Sequence, residues 1–336
     1  MLGIGEKMFD ILARWLGYVL QGCYYICNNY IVALCIFTLL LQLILLPFAI
    51  KQQKNMLKQA KLRPKEMAIR KKYAGRNDQK SQQKCQEEVM QLYQKEGFSP
   101  LGGCLPMVIQ LIILLPVWQL LTRPLEIMGK SFVDGGLSAE QCNRLYYEVF
   151  GAFPTGDAPQ VKLMTALRDP SLVSVGGYDS LFANRHKLFD ATMFGADLGT
   201  SPIEAWGTNL WWLILIPIFN LGLMYLSQYL SKKLSPQSQQ MQQQSGSMKI
   251  MMVVLPLITF WISFKYASAL GMYWIIRTIY SVIQQVVIAK VMPAPVFTDE
   301  DYKQAEKELK NKKSQAPIKN PQKVSRSFHH IDDDDE

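Results

Sequence analysis

Four stretches of the chain are apolar for long enough to cross a bilayer, with segments of another character between them. They run from Tyr30 to Ile50, Leu101 to Thr122, Thr208 to Leu230 and, at double length, Ile250 to Val291. A helical crossing takes about 20 residues, so the last run holds two helices. The break is expected at Lys265, because a charge in hydrocarbon is costly unless a turn lets it reach the surface. The pattern predicts an all-α polytopic membrane protein with five spans: residues 29–50, 101–122, 208–230, 250–266 and 267–292. Ahead of them, Met8, Ile11, Leu12, Trp15, Leu16 and Val19 recur at helical spacing, opposite Lys7, Asp10, Arg14 and Gln21. Residues 1–28 read as an amphipathic helix lying in the outer interface. A sixth span is the competing reading, and it would need shelter for Asp10 and Arg14. The start lacks the basic flank and small-residue cleavage site of a removable signal, so Met1 is expected to stay.

Charge then orients the spans. Residues 51–100 carry 13 Lys/Arg against 5 acids, whereas residues 123–207 carry 7 against 10. Basic connecting segments stay on the cytoplasmic side. The N-terminus and the 123–207 loop are therefore expected outside, and the 231–249 loop and the tail inside. The 51–100 segment reads as a helical hairpin, with one arm from about Gln52 to Tyr73, a breaker AGRND at Ala74–Asp78, and a second arm from about Gln79 to Glu96. Its apolar anchors are Met56, Leu57, Met67 and Ile69 on the first arm and Val89, Met90, Leu92 and Tyr93 on the second. The hairpin either fixes topology alone or offers a surface to anionic headgroups, ribosomal RNA or an emerging chain. In the 123–207 insertion, Tyr146, Tyr147, Phe150 and Trp206 suggest a loop folding partly onto the membrane face. The tail, residues 293–336, is rich in Lys and Glu over Asp299–Lys313 and ends in HHIDDDDE, and is expected to be largely disordered.

Little here points to catalysis. The six cysteines form no CxxC pair, and three histidines (His186, His329 and His330) make no metal constellation. LGGC at Leu101–Cys104 imitates a lipidation box but lies far from any N-terminal signal. HExxH, GxSxG and Gly-rich phosphate-loop motifs are absent, so neither an enzyme nor a cofactor is expected. A small transporter or channel is the alternative class, but five unequal spans show no pair of related halves.

FTLLLQLILLPFAIKQQ, LRPKEMAIRKKY, YQKEGFSPLGGCLPMVIQ and FKYASALGMYWIIRTIYSVIQQ follow one another in that order. Together they resemble the YidC/Oxa membrane protein insertase family of bacteria and organelles, over about residues 8–122 and 194–292. The resemblance implies a five-helix core around a hydrophilic groove, closed on the outer side. It also implies a bacterial plasma-membrane insertase for newly made membrane proteins, working alone or with the Sec translocon, with the ribosome and membrane lipids as further partners. The 85-residue insertion is longer than the family usually needs.

A second departure concerns charge. The family position matching Gln42, five residues before Pro47, typically carries a cation pointing into the groove, while this chain carries an extra cation, Arg277, in the fifth span. An unpaired arginine near mid-bilayer costs ~3 kcal/mol or more, so it is expected to face a polar cavity or a partner. At ~1.5 Å per residue, Gln42 lies ~13 Å above Lys51 and Arg277 ~20 Å above Lys290, a difference within an arginine's reach. The groove's cation is thus expected to have moved from the first span to the fifth. Gln110, Asn220, Gln228 and Trp274 are the other expected groove residues, although each also suits helix–helix hydrogen bonding or an interfacial belt.

Overall fold

The computed structural model describes residues 2–76, 78–97, 105–131, 136–154, 158–172, 177–234 and 246–314. Cys104 and the terminal His329 and His330 lie outside them, and the side chain of Gln110 is likewise not described. In chain order the helices begin with α1 (Leu2–Cys27), α2 (Tyr30–Lys61), α3 (Arg63–Lys72), α4 (Gln79–Lys95) and α5 (Leu105–Thr122). Shorter ones follow: α6 (Pro124–Ile127), α7 (Ala139–Phe150), α8 (Pro159–Leu167) and α9 (Asp179–Ala183). Two strands, β1 (Thr192–Met193) and β2 (Ala196–Asp197), form a small antiparallel hairpin. The chain ends with α10 (Leu215–Leu234), α11 (Gly246–Lys265), α12 (Ser268–Val291) and α13 (Asp299–Ser314). These elements fall into two compact units, Met1–Ala60 with Phe98–Pro295, and Lys61–Gly97 with Val296–Glu336.

Among the described residues, Tyr30–Lys61, Trp211–Ser231 and Ser268–Val291 are long and apolar enough to cross a membrane, and Ile112–Thr122 and Val253–Lys265 are shorter apolar stretches. α2 does not stop where hydrophobicity stops at Lys51. The stretch KQQKNMLKQAK contains only residues compatible with a helix, and the break waits for Pro64, which disfavours helical backbone before it and starts α3. The packed face of α2 is Tyr30, Ala33, Leu34, Phe37 and Leu41, while Leu39, Leu40, Leu43 and Ile44 are exposed, as expected of a surface that meets lipid.

α1 uses a different face from the one its hydrophobic pattern suggests. Ala13, Gly17, Leu20 and Tyr24 are buried where α1 packs on α5 and α6, whereas Met8, Ile11, Trp15 and Val19 are exposed. The reason is proximity: a Cβ on Gly17 would sit 2.7 Å from Met128 Cγ and 3.2 Å from Leu120 Cδ1. Helices that approach this closely do so through small residues, leaving the bulky apolar ones for the outside.

The 123–207 insertion is a folded layer rather than a loop. Leu145, Leu163, Leu167, Leu181, Leu188, Phe189 and Leu198 are buried in its core. Helix α7 opens with a reciprocal capping box between Ser138 and Gln141 and ends on Gly151 in left-handed conformation. Tyr146 is buried, while Tyr147, Phe150 and Trp206 are exposed. The layer is tied to the helices at several points. The Tyr24 hydroxyl accepts from Arg168 Nη1 at 2.5 Å and from the Asp190 amide at 3.1 Å. Phe189 lies 5.0 Å from the Tyr24 ring and 5.8 Å from the Tyr30 ring. At the start of α12, which has no side-chain cap, the amides of Ser268 and Ala269 donate to the carbonyls of Thr200 and Leu198 at 3.1 and 2.9 Å.

In the second unit, α3 and α4 are held by Tyr93 donating to Glu66 at 2.8 Å, by Lys65 with Glu96 at 2.7 Å, and by Lys72 and Tyr73 on Glu88. Ile69, Val89 and Tyr93 are buried, whereas Met90 is exposed, as is Met56 on the part of α2 that belongs to the first unit. The disorder expected of the tail does not extend to Asp299–Ser314, which is helical and packs on α3. Thr298 starts this helix by donating its amide and hydroxyl to Asp301, Ala305 is buried, and Glu306 pairs with Lys71 at 2.5 Å. Composition alone hid this face, because only one position in each turn is apolar or small. Residues 315–336 lie outside the described residues.

Candidate functional site

The polar residues of the apolar helices are brought together unequally. α10 and α12 run against each other closely, with α11 beside them, while the backbone of α2 approaches its neighbours only at isolated points. The close approach has a cause in sequence: a Cβ on Gly271 would meet Ile216 Cγ2 at 2.7 Å and Ser263 Oγ at 2.9 Å. One turn along α10 from Ile216 stands Asn220, 1% exposed. Among the described residues neither its Oδ1 nor its Nδ2 has a hydrogen-bond partner, and the buried Ser263 Oγ has none either. An amide left this way costs about 1–3 kcal/mol, so its retention calls for a reason beyond packing.

Arg277 is half-buried on α12, one turn beyond Tyr273 and Trp274, which are both buried. Among the described residues no carboxylate pairs with its guanidinium. Tyr280, three residues further along, and Cys35 on α2 are both half-buried against the core. Gln42 is half-buried at the edge of the packed arc of α2, seven residues past Cys35. Gln228 is half-buried on α10. Near it, Gln285 Nε2 of α12 donates to Ser231 Oγ of α10 at 2.6 Å.

The sequence pattern did not single out Ser263, Gln119 or the Gln285–Ser231 pair. Gln119 belongs with Asn220, since its Oε1 is buried without a partner among the described residues. An amide in an apolar run was the signal that could have found it, as it found Gln110 in the same helix. Ser263 carried no such signal, because serine is ordinary between packed helices.

These features define a class: a helical membrane protein whose interior keeps, among the described residues, a cation without a carboxylate and the amide of Asn220 without a hydrogen-bond partner. Comparison with known proteins narrows it. The sequence model of the 60Kd inner membrane protein family matches residues 22–295, and the chain belongs to that family. It is similar to membrane protein insertase YidC 1 of Halalkalibacterium halodurans, 37% identical over 131 residues, covering 39% of this chain and 50% of that one. It is also similar to membrane protein insertase YidC of Caldanaerobacter subterraneus, 39% identical over 122 residues, 36% of this chain and 57% of that one. Membrane protein insertase MisCA of Bacillus subtilis is 38% identical over 106 residues, 32% of this chain and 40% of the relative. The matched stretches thus span about half the length of these curated relatives. The family match ends before α13.

Proposed function

We propose that this chain is an insertase that moves hydrophobic segments of newly made membrane proteins into a bacterial plasma membrane. α2, α5, α10, α11 and α12 are its five spans, with the N-terminus outside and the 51–100 hairpin and tail in the cytoplasm. Arg277, Gln42, Gln110, Asn220, Gln228 and Trp274 line or border a polar groove. There the guanidinium attracts the polar or acidic flank of an arriving segment, and the amides replace water around its backbone. The Sec translocon, the ribosome and membrane lipids are partners on this reading.

The observation that carries the proposal is Arg277, half-buried in a helix long and apolar enough to span, with no carboxylate partner among the described residues. A cation kept there at a cost of several kcal/mol is explained if its partner arrives with the client. The test is reconstitution of the purified protein into liposomes, followed by insertion of a single-span client scored by protease protection. Client protection above that of empty liposomes is expected. Ion or solute flux without client insertion would favour a channel or transporter instead.

A further inference from the structure

The hairpin of β1 and β2 turns through two residues, Phe194 and Gly195, both in left-handed conformation at φ 48° and 78°. Such turns suit Asn-Gly or Asp-Gly, because a large side chain on a left-handed backbone crowds the neighbouring carbonyl. Here the first position holds phenylalanine, and its ring is 88% exposed. A strained aromatic pushed outward is doubly unfavourable in water, and the combination points to something apolar that receives it.

The surroundings say what that is. The Phe194 ring meets the Trp212 ring edge-on at 6.0 Å, in the short 3-10 turn Trp211–Ile214 that leads into α10. Ile203, 52% exposed, donates its amide to the carbonyl of Phe264 at the end of α11, and Trp206 and Trp211 nearby are also exposed. Leu215, Ile218 and Phe219 at the start of α10, just after Trp211, are exposed as well. At the same end of α11, the Lys265 ammonium sits 5.4 Å from the centre of the Trp261 ring. Aromatics and a lysine gathered at the end of apolar helices mark the depth where hydrocarbon gives way to headgroups.

We propose that the β1–β2 tip, with Ile203 and Trp206, dips into the bilayer surface, so that the 123–207 layer is seated on lipid rather than standing in water. The partner is the interfacial region of the membrane, recognised by aromatic and aliphatic side chains and not by headgroup charge. This seat depends on α10–α12 being embedded in the bilayer and is independent of insertase activity.

The test places a nitroxide at Phe194→Cys and, separately, at Ile203→Cys, in full-length protein whose native cysteines have been replaced. Ile218→Cys on the α10 stripe serves as the lipid reference, and each variant is checked for monodispersity before reconstitution into phosphatidylcholine–phosphatidylglycerol vesicles. Collision with oxygen, which concentrates in lipid, is compared with collision with a water-soluble nickel chelate. At both sites oxygen accessibility is expected to exceed nickel accessibility several-fold, as at Ile218. Nickel exceeding oxygen would place the tip in water and overturn the proposal. Low accessibility to both would overturn it in favour of a protein partner. Should Phe194→Cys fail to fold, Ile203→Cys decides alone.

Discussion

The unit formed by α3, α4 and α13 and the bundle of apolar helices treat polar groups in opposite ways. In the first, Glu66, Glu88, Glu96 and Glu306 each meet a cation, and Tyr73 and Tyr93 add hydroxyl donors. In the second, Arg277 stands without a carboxylate and Asn220, Ser263 and Gln119 keep buried atoms without partners, among the described residues. Water screens the first arrangement, so each pair is worth little and the fold tolerates its loss. Hydrocarbon screens nothing, so unmet groups there are expensive and their retention points to an external partner. Polar satisfaction thus distinguishes the two regions within one chain.

The comparison can be broken most visibly by labelling. Cys142 is buried and burial pushes its thiol up to about 12, so it should not react with a maleimide at neutral pH from either side until the protein is denatured. Side-chain exposure of 77% makes Arg144→Cys the better outer reporter. A membrane-impermeant maleimide should label it in intact cells, whereas Cys85 should need permeabilisation; the reverse pattern would invert the proposed orientation. Next in size, Gly271→Ala should destabilise the bundle by ~1–3 kcal/mol, because its methyl meets a branched side chain that cannot easily yield. Heat-induced aggregation in detergent should then begin several degrees lower, and an unchanged onset would mean that α10, α11 and α12 are not closely packed at this point.

Asn220→Leu sharpens the contrast further. Replacing a buried, partnerless amide by a hydrocarbon should raise stability by ~1 kcal/mol and, if the amide serves clients, lower insertion. Lower stability instead would show that Asn220 is structural. The smallest effect belongs to the paired unit: Lys71→Ala and Glu306→Ala should each cost under ~1 kcal/mol and be non-additive in a double-mutant cycle. A cost of several kcal/mol would show that the α13 contact is integral to the fold.

Much of the helix inventory was legible because hydrophobic runs near the length of a bilayer are hard to mistake. Arg277 and Asn220 were legible for the same reason, standing out against an apolar background. The packing face of α1 was not, because Gly17 and Ala13 carry almost no hydrophobic signal yet decide how closely α5 can come. The folded insertion was hidden by its short helices, which are too short to show a repeating apolar face although they bury residues such as Leu163 and Leu181. The helix at Asp299–Ser314 was hidden because its stability comes from contact with α3, and lysine and glutamate look the same in a helix and in a solvated tail. Counting from Lys51 and Lys290 does not fix the relation between Gln42 and Arg277, since it assumes that the two helices share one reference level.

The claim that Arg277 supplies the groove's charge is tested most directly by client insertion at matched protein abundance. The client should be a single-span protein with an acidic translocated tail, and the variants Arg277→Ala, Arg277→Lys and Gln42→Arg, the last alone and combined with Arg277→Ala. Removing the cation should lower insertion about tenfold, equivalent to ~1.4 kcal/mol of lost attraction. Lysine should retain much of the activity, because sign and depth matter more than guanidinium geometry. Gln42→Arg should rescue the alanine variant only in part, since it places the cation on a different helix. Equal insertion by wild type and Arg277→Ala would contradict the account, and Arg277 would then be an arginine reaching for the outer surface.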